Sequence, residues 1–266
     1  MVNEAPLTAY RCRPDYGCMR SKLILALLAL TIPVAAQAPM NALLEETNIR
    51  SGMGGQFEAA QKEYCAAVVK GGAPACLIFS TATFGQSDRF FTLLPFASFI
   101  HYDQGKYTDK GLTPEEAKAL SARRGPPIAS NHESAIALHS ELSVLSTVSN
   151  TEYPINHFTE YRIRPGTSAA FLKTVHDLLL PAAKKAALLE FEVFTTTVGE
   201  SPDRILIATR LKNYEQLDHP DPVEANLSET QRKLWNETLA RTVDRTDTFI
   251  MRYRADLSTD NRPARR

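Results

Sequence analysis

Most of the signatures that announce chemistry are missing from this chain of 266 residues. There is no GxSxG elbow, no P-loop, no HExxH helix and no CxxC pair. No standard motif for acyl transfer, nucleotide hydrolysis, zinc-dependent proteolysis or dithiol redox work is therefore present. Net charge is also lacking: 30 basic side chains balance 30 acidic ones, without a basic stripe. That argues against a nucleic-acid or acidic-surface partner held by bulk electrostatics. The longest apolar run, 23–34, is too short for the roughly 20 residues that a membrane-spanning helix needs. Cysteine is sparse, with Cys12, Cys18, Cys65 and Cys76, and Trp235 is the single tryptophan.

What the chain does contain is a patterned stretch, 158–211. Residues 158–164 are β-rich and end at Pro165-Gly166, after which Thr167 or Ser168 can cap a helix. Phe171, Val175, Leu178, Leu179 and Ala182 then recur at helical spacing, with Pro181 expected to kink or divide the helix. Residues 189–198 alternate with the period of two that marks a strand, 199–203 turn, and 204–211 return.

A degraded copy of this pattern lies upstream. Ile49-Arg50-x-Gly52 falls on Ile163-Arg164-x-Gly166, and Phe57 falls on Phe171. Thr81, Thr83, Gly85 and Ser87 fall on Thr195, Thr197, Gly199 and Ser201; Arg89 and Asp103 then fall on Arg204 and Asp218. The second copy continues with a helix at 228–243 and a strand at 247–254. In the first copy a helix is expected at 131–148 and a strand near 151–155. Each copy then reads β-α-β-β-α-β, the ferredoxin-like order. The fold class expected is α+β: two tandem ferredoxin-like repeats packed sheet to sheet as an intramolecular α+β barrel.

With these residues in hand, the chain resembles the dimeric α+β barrel superfamily in a fused, two-repeat form. Its second copy resembles NIPSNAP domains, through Tyr161-Arg162-Ile163-Arg164-Pro165-Gly166 and Phe171. The superfamily includes cofactor-free monooxygenases, isomerases, haem-handling proteins and non-catalytic binding modules, so the resemblance implies a fold and no single activity.

The organisation expected is an upstream extension at 1–18, a signal peptide at 19–36, a first repeat at 45–156 with an insertion at 103–130, a second repeat at 157–256 and a disordered tail at 257–266. Arg20 and Lys22 ahead of the 23–34 run, and Val34-Ala35-Ala36 after it, fit an export signal cleaved after Ala36. A periplasmic or extracellular location follows. Cys65 and Cys76 would then remain; two buried thiols are the plainer reading, and a bridge in an oxidising compartment is the alternative. Covered sheets within one chain imply a monomer.

Candidate binding residues come from alternation in the second copy. Glu160 and Arg162 share a face of one strand, and Glu190 and Glu192 share a face of the next. The opposite faces are apolar and suit helix cover, which turns the charged faces towards the barrel interior or its rim. Charge there needs a partner: Arg162 can neutralise one acid, and Arg210 or Arg252 a second. The expected ligand is a small molecule, cationic or hydrogen-bond-donating. Replacing Glu190 and Glu192 together with Gln is expected to remove binding and leave the melting temperature near its starting value. No metal site and no cofactor is expected: His132 and His139 are too far apart on the expected helix, Gly52-Met53-Gly54-Gly55 is a plain helix start, and His219 is a loop residue. The function expected is non-catalytic ligand binding. One alternative is a cofactor-independent monooxygenase or isomerase with Glu160 or Glu190 as base. Another is haem binding through His157 or His176.

Overall fold

The structure is a computed structural model and describes residues 40–81, 83–84, 86–145 and 148–262. The expected signal sequence and upstream extension lie outside these residues. Among them no helix is long and apolar enough to cross a membrane.

The first half runs β1 (Met40–Ile49), α1 (Gly54–Lys70), β2 (Ala75–Thr81), β3 (Arg89–Phe96), three short helices α2 (Ile100–Asp103), α3 (Tyr107–Gly111) and α4 (Pro114–Arg124), then β4 (Ile128–Leu138). The second half runs β5 (Ile155–Ile163), α5 (Ser168–Thr174), a π turn (Val175–Leu179), α6 (Leu180–Lys185), β6 (Phe191–Val198), β7 (Arg204–Leu211), α7 (Pro222–Ala225), α8 (Glu229–Thr242) and β8 (Val243–Tyr253). A two-residue strand, β9 (Thr259–Asp260), follows. The eight long strands lie in the order β3-β1-β4-β6-β7-β5-β8-β2, and β2 pairs with β3 to close the ring. Every pairing is antiparallel. The architecture is α+β, a closed eight-stranded antiparallel barrel with helices outside.

The three larger apolar cores follow from strand alternation. Leu44, Leu77, Phe91, Phe158, Leu206 and Phe249 point inward and fill the middle of the barrel. On the outside, α1 covers Ile49, Ile78 and Phe90 with Phe57 and Val68. The helices of the second half cover Ile163, Val193 and Ile205 with Phe171, Val175 and Trp235. Trp235 is buried against Phe171, with ring centroids 5.7 Å apart. The first outer core also holds a polar chain that sequence alone does not reveal. Arg124 Nε donates to Gln61 Oε1 at 2.6 Å, Arg124 pairs with the buried Glu45 at 2.5 Å, and Gln61 donates to Thr92 Oγ1 at 2.9 Å.

The first helix of each half begins alike. Gly52 and Gly166 take positive φ, 79° and 80°, where a side chain would be strained, and turn each strand into its helix. Thr167 occupies the position before the helix, but its hydroxyl donates to Arg164 O instead of accepting from a helix N–H. Pro181 does divide its helix: the π turn just ahead of it widens the hydrogen-bond ladder, which then resumes as α6.

Five expectations need correction. The described residues of 131–148 form no α-helix: β4 occupies Ile128–Leu138 and a single 3-10 turn follows at Ser140–Leu142, so His132 sits on a strand and His139 just beyond it. The stretch 103–130 contains α4, with a Thr113–Glu116 capping box and Pro114 in its first turn, and this is the helix that precedes the half's last strand. Strand β1 starts at Met40, ahead of the expected boundary. The described part of the tail, 257–262, is packed on the barrel: Leu257 is buried under α1, β9 pairs with β2, and Ser258 Oγ accepts from Ile78 N at 2.8 Å. Those contacts satisfy β2 backbone that the barrel leaves unpaired. Cys65 and Cys76, for which free thiols were the plainer reading, are joined by a disulfide with Cα atoms 5.2 Å apart.

Candidate functional site

The four candidate residues divide between the two mouths of the barrel. Asn156 and Arg162 stand six residues apart on the inner face of β5, roughly 20 Å along an extended strand, and they line different cavities. Glu190 and Glu192 line a cavity of about 440 Å³ at one mouth. Glu160 and Arg162 line another, of about 470 Å³, at the opposite mouth.

The first chamber is apolar in its depth. Leu44, Leu77, Phe79, Phe91, Phe158 and Phe194 wall it, with Tyr253 nearer the rim. Its polar groups gather at the entrance. β6 and β7 pair with Phe191 opposite Thr209, so Glu190 and Arg210 fall opposite each other on the inner face. They form an ion pair with side chains only 5% and 8% exposed. Arg210 Nη1 also donates to Val148 O at 2.9 Å. Asn156, 3% exposed, lies beside them. Glu192 is half-buried, and Asp260 and Arg262 reach the same rim from β9 and the residues just after it. Arg262 bonds Asp260 at 2.7 Å; that bond, with Glu192 nearby, holds its guanidinium above its ordinary pKa. Of the two arginines suggested as partners, Arg210 takes the role, and Arg252 points outward and is exposed.

The opposite chamber is built of ion pairs. Arg204, 3% exposed, reaches Glu46 at 2.5 Å, Glu160 at 2.7 Å and Glu200 at 3.0 Å. Arg162 pairs with Glu160 at 3.0 Å and Glu200 at 2.6 Å. Arg89 bonds Glu46 at 2.6 Å and lies over the rings of Phe91 and Phe249, 4.7 and 4.6 Å from their centroids. His132 approaches Glu200 at 3.2 Å. Burial alone would lower the Arg204 pKa, but Glu46 and Glu160 outweigh it and raise it. For Glu200 burial pulls upward, while the Arg162 hydrogen bond and the Arg204 charge bring it below its ordinary value.

Stacked and edge-on phenylalanines separate the two chambers: Phe158 lies 5.5 Å from Phe249 and 5.7 Å from Phe91, and Phe91 lies 5.6 Å from Phe249. Sequence reasoning missed Glu46 and Asn156. The signal for Glu46 was present, because the register that lays Ile49 on Ile163 also lays Glu46 on Glu160.

Neither suggested haem ligand enters a chamber. His157 lies between inward-facing Asn156 and Phe158 and so faces the helix side, and His176 is an exposed helix residue bonded to Asp177 at 2.8 Å. The residues present do not fit a haem held by either. Among the described residues no group of His, Cys, Asp and Glu could hold a metal ion.

The closed barrel, its strand order and its outer helices define the class: a ferredoxin-like α+β barrel. Solved structures agree. An anthrone oxidase-like protein is similar with a TM-score of 0.61 at 10% identity, over 85% of this chain and 94% of that one. A protein of Fusobacterium nucleatum provisionally named a monooxygenase is similar with a TM-score of 0.56 at 10% identity, over 81% and 93%. A mutant chlorite dismutase from Candidatus Nitrospira defluvii is similar with a TM-score of 0.50 at 11% identity, over 81% and 92%. At such identities the likeness is one of fold. No family model matches the chain, and no curated protein does.

Proposed function

We propose that this protein binds a small organic molecule in the apolar chamber, with the ligand's ring or chain among the phenylalanines and its polar end at Glu190, Glu192 and Asn156. The observation that carries this is the chamber itself: about 440 Å³ of largely apolar wall inside the barrel, with its charge confined to the mouth. Because Arg210 already neutralises Glu190, the ligand is neutral or hydrogen-bond-donating and needs no positive charge. Native mass spectrometry of protein from its own host should find a co-purifying mass. Ala208→Leu, which fills the wall, should lose that mass while keeping the circular dichroism spectrum. An unliganded wild type, or a mass retained by the filled variant, overturns the reading.

A second reading is cofactor-independent oxygenation of an electron-rich ring in the same chamber. Its support is the names of the neighbours, anthrone oxidase-like and monooxygenase. Of the two carboxylates considered as base, Glu190 is the one at this chamber. Oxygen uptake with phenols or quinols, without added metal or cofactor, tests it; none with any of them removes it.

Three further readings belong to this proposal. The halves are two copies of one unit, the second NIPSNAP-like; the common element order and the paired Gly52 and Gly166 turns support this. The protein is exported from a signal near Met19, and the Cys65–Cys76 bridge supports an oxidising compartment. It is a monomer, since one chain closes the barrel. Light scattering that found only an obligate dimer would reject the last.

A further inference from the structure

We propose that the lip of the apolar chamber formed by β3 and β1 docks on a zwitterionic lipid bilayer, so that the ligand passes from the lipid straight into the barrel. This rests on the reading of that chamber as a ligand site. Its mouth has two unlike sides. β6, β7 and β5 bring Glu190, Glu192, Arg210 and Asn156 to one of them. On the other, β3 ends with Pro95 and Phe96 and β1 begins at Met40; Met40 and Pro95 both wall the chamber. Among the described residues eight large apolar side chains are exposed, and four of them gather at this side: Met40 at 36%, Phe99 at 43%, Tyr102 at 40% and Ile100 at 60%. Asn41, next to Met40, pairs with Phe96, and the Phe96 ring lies 5.1 Å from Phe99 and 5.4 Å from Tyr102. Apolar surface therefore runs from α2 over the lip to the inside of the barrel.

Size and charge say what covers this lip. A stable protein interface takes about 20–30 residues a side. Here four apolar side chains are followed at once by Asp103, Lys106, Asp109 and Lys110, all exposed. A folded partner, or a second copy of this chain, gains too little from so small a tip. A bilayer demands no matching shape and takes apolar side chains into the boundary between headgroups and acyl chains. Tyr102, with an apolar ring and a polar end, suits the headgroup level. The two acids and two bases cancel, so nothing on this lip favours an anionic surface over a zwitterionic one. A molecule that suits a phenylalanine-lined chamber also dissolves among acyl chains, and the docked lip sets the mouth against them.

The test is co-sedimentation of protein from its own host with dioleoylphosphatidylcholine vesicles, read without any ligand. Wild type and variants carry the same N-terminus, so differences between them report the lip. Ile100→Ser should weaken vesicle binding about fivefold, and Phe99→Ser with Ile100→Ser about 25-fold, as expected for half-exposed side chains that lose their burial. Val198→Ser, which changes a side chain 57% exposed at the far end of β6, should leave it unchanged, as should salt raised to about 0.5 M. Circular dichroism checks folding, and Ile100→Ser is read alone where the double variant does not fold. N-phenyl-1-naphthylamine preloaded in the vesicles should reach the wild type at a rate that rises with vesicle concentration, and reach Ile100→Ser several-fold more slowly. The proposal is overturned if the wild type does not sediment, if Ile100→Ser sediments as the wild type does, or if Val198→Ser weakens binding as much. It is also overturned if the transfer rate ignores vesicle concentration, or if the wild type forms a dimer in buffer that Ile100→Ser dissolves, which would make a second copy the occupant. In vesicle-free buffer 2-naphthol should bind wild type and Ile100→Ser alike; its failure to bind the wild type would count against the apolar-chamber reading alone.

Discussion

Replacing Glu190 with Gln should destabilise the protein substantially. The substitution keeps the shape of the side chain and removes its charge, leaving the Arg210 guanidinium, 8% exposed, without its counter-ion. Val148 O, which accepts from Arg210 Nη1, carries no charge and does not replace it. Breaking one partner of a buried pair costs about 3–5 kcal/mol. At about 2–4 °C per kcal/mol for a domain of this size, the midpoint should fall by about 6–20 °C. The earlier expectation of an unchanged melting temperature for the Glu190→Gln and Glu192→Gln pair therefore fails on burial. A double replacement, Glu190→Leu with Arg210→Met, removes both charges and should recover most of the loss, since buried pairs are often exchangeable for apolar groups. Urea titrations of the wild type, both singles and the double give the coupling, which should be about 2 kcal/mol or more with m unchanged. A Glu190→Gln loss below about 1 kcal/mol, or a double variant as weak as its worse single, would refute this account.

Acid should weaken the wild type through Glu200. Its pKa in the folded state lies below its ordinary value, so its stabilising contribution is present above the unfolded-state pKa and is lost as pH falls through the folded one. Glu200→Gln should flatten the melting-temperature profile between about pH 5 and pH 3. Gly199 holds φ at +91°, and a Cβ there would lie 2.5 Å from Glu133 O, so Gly199→Ala should cost about 1–3 kcal/mol by denaturant titration. Peptide mapping without reductant should recover Cys65 and Cys76 in one linked species. Reduction should cost about 3 kcal/mol, the loop-closure entropy of an 11-residue separation.

Alternation carried the sequence reading furthest. It turned Glu160, Arg162, Glu190 and Glu192 inward, because a strand with one helix-covered face has only one other place for its charges. What alternation cannot supply is depth along the strand. Asn156 and Arg162 share a face and still serve opposite mouths. Arg204 illustrates the same limit: it was noticed for its match to Arg89, yet nothing local foretells that one guanidinium joins carboxylates from β1, β5 and the turn before β7. The misplaced helix at 131–148 had another origin. Leu138, Leu142 and Leu145 suit helical spacing, but the five buried residues at the end of β4 line a strand pressed between neighbours on both sides. Long-range pairing there outweighs local pattern.

The barrel is stitched unevenly. Within the halves, β1 matches β4 over ten residue pairs and β5 matches β8 over nine. The seams between halves are short, four pairs for β4 with β6 and three for β2 with β8. The connection from Leu138 to Ile155 is long enough to act as a hinge. A ring that opens at its seams exposes edges that the corresponding half of another molecule can fill, and such exchange is a low-cost route to a dimer. Concentrated protein held near its midpoint should therefore trade halves between chains and, on dilution, keep a population of interlocked pairs that separate only as slowly as the seams reopen.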